Sequence, residues 1–188
     1  EESSGLALRG CCILIAETGD DELTTGEGLC HLIEFICGRQ RRVVRSTYSA
    51  ELNGLIDSIE KAILVQILFH QIWCGCDQSV AVMATLQEEG KLQPPIKGCV
   101  DAKAVFDSIK ASDVCEPAES SLKLHLLAIR DKLVAGILQQ LFWADTRDML
   151  ADGLTKGSVN RAALQLAQED GRFKLQFPVV CTRRKSGQ

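Results

Sequence analysis

Histidine is scarce in this sequence: His31, His70 and His125 are the only three, scattered over 188 residues. Cysteine is not scarce, with nine residues, but no two form a Cys-x-x-Cys pair, the short spacing from which zinc sites are usually built. Only Cys30-His31 and Cys74-Gly75-Cys76 bring soft ligands close together, and neighbours on a strand point to opposite faces. This pattern argues against a structural zinc site. An odd cysteine count, with several cysteines inside apolar runs, reads instead as reduced core thiols in a cytoplasmic or nuclear setting. No stretch has the length and apolarity of a membrane span, and no secretory signal is seen, so no membrane partner and no secretion are expected. Positive charge is not in excess either. The net charge of −4 excludes a molecule that holds nucleic acid by its overall field, and any such contact must come from a local patch. Internal repeats and low-complexity tracts are lacking. The chain opens Glu1-Glu2-Ser3-Ser4 without a methionine, which reads as a processed product or a fragment whose beginning is missing.

What is present suits one domain with a core, since 46% of the residues are apolar. Residues 6–17 read as a strand, 18–28 as a Gly/Thr/Asp-rich hairpin loop, and 29–37 as a second strand that 39–46 continues or follows with a third. Leu52, Leu55, Ile56, Ile59 and Ile63 recur at helical spacing, which predicts a long helix over about 47–73, capped by Ser46 or Thr47. Residues 74–98 mix a short helical piece with a loop closed by Pro94-Pro95, and 99–102 read as a short buried strand ending in an acid. Helices follow at 102–111 and 121–136, then a strand at 137–144 and helices at 146–157 and 158–171, with a loose basic tail. Antiparallel strands followed by β/α alternation predict a mixed α+β class, with helices packed on a mixed sheet.

Three acids occupy special places in this order. Glu51 falls in the first turn of the long helix, Asp101 ends a strand, and Asp152 lies early in a late helix at the exit of another strand. Ligands of open α/β sheets gather beyond the carboxyl ends of strands. Carboxylates that converge there repel one another unless a cation sits between them, and Mg²⁺ is the natural hard partner. Each acid also has a simpler explanation. Glu51 suits the helix macrodipole, Asp101 could cap the next helix, and Asp152 could be a solvated helix acid like Asp148.

Four segments carry a resemblance: "RSTYSAEL", "CVDAKAVFDSI", "SSLKLHLLAIRDKL" and "WADTRDMLADGLTKG". In this order they resemble the ribonuclease H region of copia-type retrotransposon polyproteins, over roughly residues 5–157. No one segment is highly specific; the ordered set is fairly specific, because each falls on the element the fold requires. The resemblance implies a ribonuclease H-like fold and hydrolysis of the RNA strand of an RNA–DNA hybrid with two Mg²⁺ ions and four acids. By position, Glu51 and Asp101 would hold one ion and Asp152 would help hold the other. The family's first acid lies on a strand ahead of the segment that begins here, and Glu1 and Glu2 sit in a linker-like start. The expected layout is therefore residues 1–157 as a ribonuclease H-like domain without its first strand, inactive as it stands, and 158–188 as a C-terminal helix and basic tail. A reverse transcriptase domain upstream in the same polyprotein is the implied neighbour, and a sheet lacking a strand invites a protein partner.

Arg39, Arg41, Arg42 and Arg45 stand just ahead of Glu51 and stand out in an acidic chain. They read as phosphate contacts for a hybrid, or as a solvated edge that discourages sheet pairing. Trp73 and Trp143 adjoin apolar runs and read as core. The rival to an enzyme is a relic that binds nucleic acid or protein without cleavage, or a structural subunit recruited by a host assembly.

Overall fold

A computed structural model gives the fold and describes residues 7–17, 27–40, 46–75, 78–111, 120–177 and 180–181. The predicted loop at 18–28 lies largely, and the stretch 112–119 between two predicted helices wholly, outside this set.

The long helix organises the rest. Ser46 stands in extended conformation and its hydroxyl accepts the Ser49 N–H at 3.1 Å, so α1 runs Thr47–Cys74 and ends at Gly75 in the left-handed region. Its buried residues Leu52, Leu55, Ile59 and Ile63 form one face. That face enters the main core with Val105, Phe106 and Ile109 of α3 (Lys103–Lys110) and Leu122, Leu126 and Ile129 of α4 (Ser120–Ala135). The same core takes Ile96 and Val100 of β3 (Ile96–Val100) and Leu138 and Leu141 of β4 (Leu138–Trp143). A short helix, α2 (Val80–Glu88), precedes β3.

The architecture is mixed α and β, with antiparallel strands first and β/α units after them. The described strands divide into two sheets of three. In the first, β1 (Leu8–Ala16) pairs antiparallel with β2 (Glu27–Arg39), and β2 pairs with β5 (Arg172–Lys174). In the second, β3 pairs parallel with β4, and β4 pairs antiparallel with β6 (Val180–Cys181). Helix α1 packs on both sheets, against β1 and β3. Arg9 of β1 pairs with Asp57 of α1. Strand β1 is apolar, yet none of its residues is fully buried.

Several expectations need correction. Residues 146–157 do not form one helix. A 3₁₀ turn at Thr146–Asp148 gives way to extended Met149, and a single turn, α5 (Asp152–Thr155), follows. The turn stops because Asp148 is aimed inward as a backbone acceptor. Residues 158–171 also do not form one regular helix: α6 covers Ala162–Gln165, and a π-helical turn at Leu166–Asp170 closes at Gly171, whose φ is 63°. Strand β3 begins at Ile96 rather than 99, and Asp101 follows it by one residue. Residues 172–174 and 180–181 add a strand to each sheet. Trp73 is exposed, as are Cys37, Cys74 and Cys99, so these are not core residues.

Candidate functional site

Glu51, Asp101 and Asp152 come from α1, the exit of β3 and the start of α5, and the charges of Asp101 and Asp152 both reach Glu51. Glu51 begins the second turn of α1, not the first, because Ser46 is the cap and Thr47 the first helical residue. The macrodipole weakens beyond the first turn, so it does not by itself account for this acid. Partial burial raises the Glu51 carboxyl above its ordinary value, the charges of Asp101 and Asp152 raise it further, and Lys156 opposes the shift. Glu51 is exposed at the surface.

Asp101 does not cap α3; the capping position belongs to Ala102, which has no side-chain cap bond. The Asp101 backbone is held by Trp143, whose indole Nε1–H donates to the Asp101 carbonyl at 2.8 Å. Lys103 lies over the same indole ring, 5.4 Å from its centroid.

Asp152 is the first residue of α5, and its position depends on a glycine. A Cβ at Gly10 would lie 2.6 Å from the Ala151 carbonyl oxygen and 2.9 Å from Thr155 Cγ2, so only glycine lets this turn rest on the β1–β2 hairpin. The Cys37 thiol donates to the Leu154 carbonyl at 3.0 Å, and Arg161 Nε donates to the Gly153 carbonyl at 2.9 Å. The Asp152 side chain is 14% exposed, and Lys156 Nζ donates to its Oδ2 at 2.7 Å. This hydrogen bond raises Lys156 above the ordinary lysine value, and the charges of Asp152, Asp101 and Glu51 add to the effect.

Asp148 is not a solvated helix acid. It is 5% exposed, and its carboxylate accepts the Gln176 N–H at 3.0 Å on both oxygens and the Phe177 N–H at 2.9 Å. Beside it, Arg147 forks onto Asp145 at 2.8 and 2.9 Å and stacks on Phe177, 3.5 Å from the ring centroid. The Arg147 hydrogen bonds hold the Asp145 carboxyl down to about 2. This assembly fastens the chain that leads into β6.

Arg39 is exposed at the end of β2, while Arg41, Arg42 and Arg45 lie outside the described residues. Both flanks of that stretch are fixed near Glu51. Gln40 Nε2 donates to the Ala50 carbonyl at 2.7 Å, and Ser46 caps α1. None of the three histidines is among the charges that act on Glu51 or Lys156. His70 is buried and its Nδ1 accepts the Gln93 N–H at 3.0 Å.

The donor chemistry of three carboxylates suits Mg²⁺. Among the described residues, however, no three Asp, Glu, His or Cys side chains close on a single point as a metal cage. An ammonium of this chain lies within their field instead. Lys156 and Gly10 have no role in the sequence reading, and Trp143 is read there only as core. The i, i+4 spacing of Asp152 and Lys156 was the signal available for the first of them.

The chain matches no family model, no curated protein and no solved structure. Among the described residues, no helix is long and apolar enough to cross a membrane.

Proposed function

We propose that the chain is a ribonuclease H-like domain of a copia-type retroelement polyprotein, built to hydrolyse the RNA strand of an RNA–DNA hybrid and lacking one strand of its catalytic sheet. The observation that carries this reading is the electrostatic cluster of Glu51, Asp101 and Asp152, drawn from three elements of the fold. These are the acids that the four-segment resemblance singles out. Glu51, Asp101 and Asp152 would hold Mg²⁺, which supplies an activated water and charge neutralisation at the phosphate when bound. Trp143 and Gly10 fix two of the acids in place. Arg39, Arg41, Arg42 and Arg45 would take hybrid phosphates.

The division into two sheets supports the incomplete-domain part of the reading. Strands β1 and β3 both pack on α1, and each has one edge without a partner among the described strands. One added strand would join the sheets and could bring a fourth acid. A non-catalytic relic that only binds is the second reading, favoured by the lack of a closed three-ligand cage among the described residues.

The test is cleavage of an end-labelled RNA–DNA hybrid with Mg²⁺, by this chain and by a version extended upstream. Cleavage by the extended chain, lost on Asp101→Asn, supports the enzyme reading. Salt-sensitive binding of the hybrid without cleavage in either form supports the relic.

A further inference from the structure

The exposed side of α1 changes character at Leu64. Asp57, Glu60 and Lys61 are exposed charges, and each is paired inside the chain, with Arg9, Lys132 and Glu34 in turn. Beyond them, residues 62–87 hold a single charged residue, Asp77. Helix α1 nevertheless turns Leu64, Leu68 and Ile72 to solvent, each more than half exposed, with Trp73 exposed at its end. The first three recur every four residues and so form one stripe, on the side away from the buried Ile59, Ile63 and His70. An outward stripe is ordinarily polar. Helix α2 repeats the anomaly. Met83 is the one buried residue of its nine, while Val80 and Val82 are exposed. A helix this short is marginal in water unless its apolar side is covered. Apolar surface gathered over one stretch of chain marks an interaction site, where single scattered residues do not.

We infer that this surface pairs two copies of the chain, with α1 crossing its counterpart antiparallel at Leu68. Three features select a second copy. The stripe is symmetric about Leu68, so a two-fold axis there sets Leu64 of one copy against Ile72 of the other and Leu68 against itself, as a self-complementary contact requires. Two chains of net charge −4 repel each other, and this stretch lets them meet with no like charges face to face. A different partner is ordinarily selected by complementary charge, which this face does not offer. The area also suffices. At roughly 200 Å² for a whole large side chain, Leu64, Leu68, Ile72, Trp73, Val80 and Val82 leave about 700 Å² open in each copy, close to the ~800 Å² that each partner gives to a stable interface. The contact begins about 20 Å along α1 from Glu51 and leaves that acid uncovered.

Sedimentation equilibrium of the full chain tests this, in reducing buffer that keeps the exposed Cys74 from cross-linking copies. The samples are wild type, Leu68→Glu, Leu68→Lys and an equimolar mixture of the two variants. Wild type is expected to be a dimer with a micromolar or tighter Kd. Each variant alone should weaken it at least about a hundredfold, because position 68 faces itself and like charges then meet. The mixture should restore the dimer, since opposite charges face each other across the axis. Position 68 is exposed, so each variant should keep the wild-type circular dichroism spectrum. A wild-type chain still monomeric at about 100 μM overturns the inference and leaves the surface to a different protein. A dimer that Leu68→Glu leaves intact, or a mixture of folded variants that stays monomeric, overturns it as well.

Discussion

Replacing Gly10 by alanine tests how the late part of the chain is seated, because the same substitution at Gly38 supplies an internal control. Both glycines lie in the β1–β2 hairpin, and neither has a positive φ. For an ordinary strand position, glycine to alanine stabilises by about 0.5–1 kcal/mol through lost backbone freedom in the unfolded chain. At Gly38 the new methyl meets nothing within 4 Å, so Gly38→Ala should show that gain. At Gly10 the methyl would lie 2.6 Å from the Ala151 carbonyl oxygen, closer than real contacts allow, and the obstacle is backbone rather than a flexible tip. Overpacking of this kind costs about 1–3 kcal/mol, which outweighs the gain. The net expectation for Gly10→Ala is a loss of about 0.5–2 kcal/mol, and a chain of this size loses about 2–4 °C per kcal/mol. Urea unfolding followed by circular dichroism reads both variants. Equal midpoints for Gly10→Ala and Gly38→Ala would refute the seating of α5 on the hairpin, and with it the placement of Asp152.

Other predictions follow from the same geometry. Asp148→Asn should cost about 1.5–3 kcal/mol in thermal melting at pH 7, because it removes the charged acceptor of two part-buried backbone N–H groups. A cost below that of a typical surface substitution would contradict the clamp. Glu51→Gln should stabilise at neutral pH. The folded protein raises the Glu51 carboxyl, so ionising it costs stability once pH rises through the folded value, and that cost is absent below the unfolded value. The gain stays below about 1 kcal/mol because the group is exposed, and melts at pH 7 and pH 3 should show it at the first and not at the second. Thiol mapping by mass spectrometry should find Cys37 and Cys74 labelled early and Cys12 late, since burial pushes the Cys12 thiol up to about 12. Early labelling of Cys12 would show that β1 is not seated as described.

Local signals carried the sequence reading where local forces decide the structure. Helix α1 was legible from one apolar stripe and a serine cap, and α3, α4 and β4 followed from spacing and the glycine at 136. Where a distant partner decides, the reading failed. Met149, Leu150 and Leu154 have helical spacing, but Asp148 turns inward to bond Gln176 and Phe177, and the helix breaks there. Pro95 and Gly98 look like loop residues. Gly98 lies inside β3 because the side chain of Leu141 passes 3.1 Å from where its Cβ would be. Strands of three and two residues, such as β5 and β6, are too short to carry a pattern. The places of Asp101 and Asp152 in the fold were legible because one follows a strand directly and the other opens a helix, and Glu51 was legible as an early residue of α1. Lys156 and Trp143 were not, because what they do depends on which side chains the fold sets beside them.

The proposed metal site at Glu51, Asp101 and Asp152 is tested most directly by amide NMR spectra of the labelled chain during Mn²⁺ titration. Paramagnetic broadening centred on residues 51, 101 and 152, and abolished by Asp101→Asn together with Asp152→Asn, is the predicted result. Broadening centred elsewhere, or unchanged in the double variant, would contradict a metal site at this cluster.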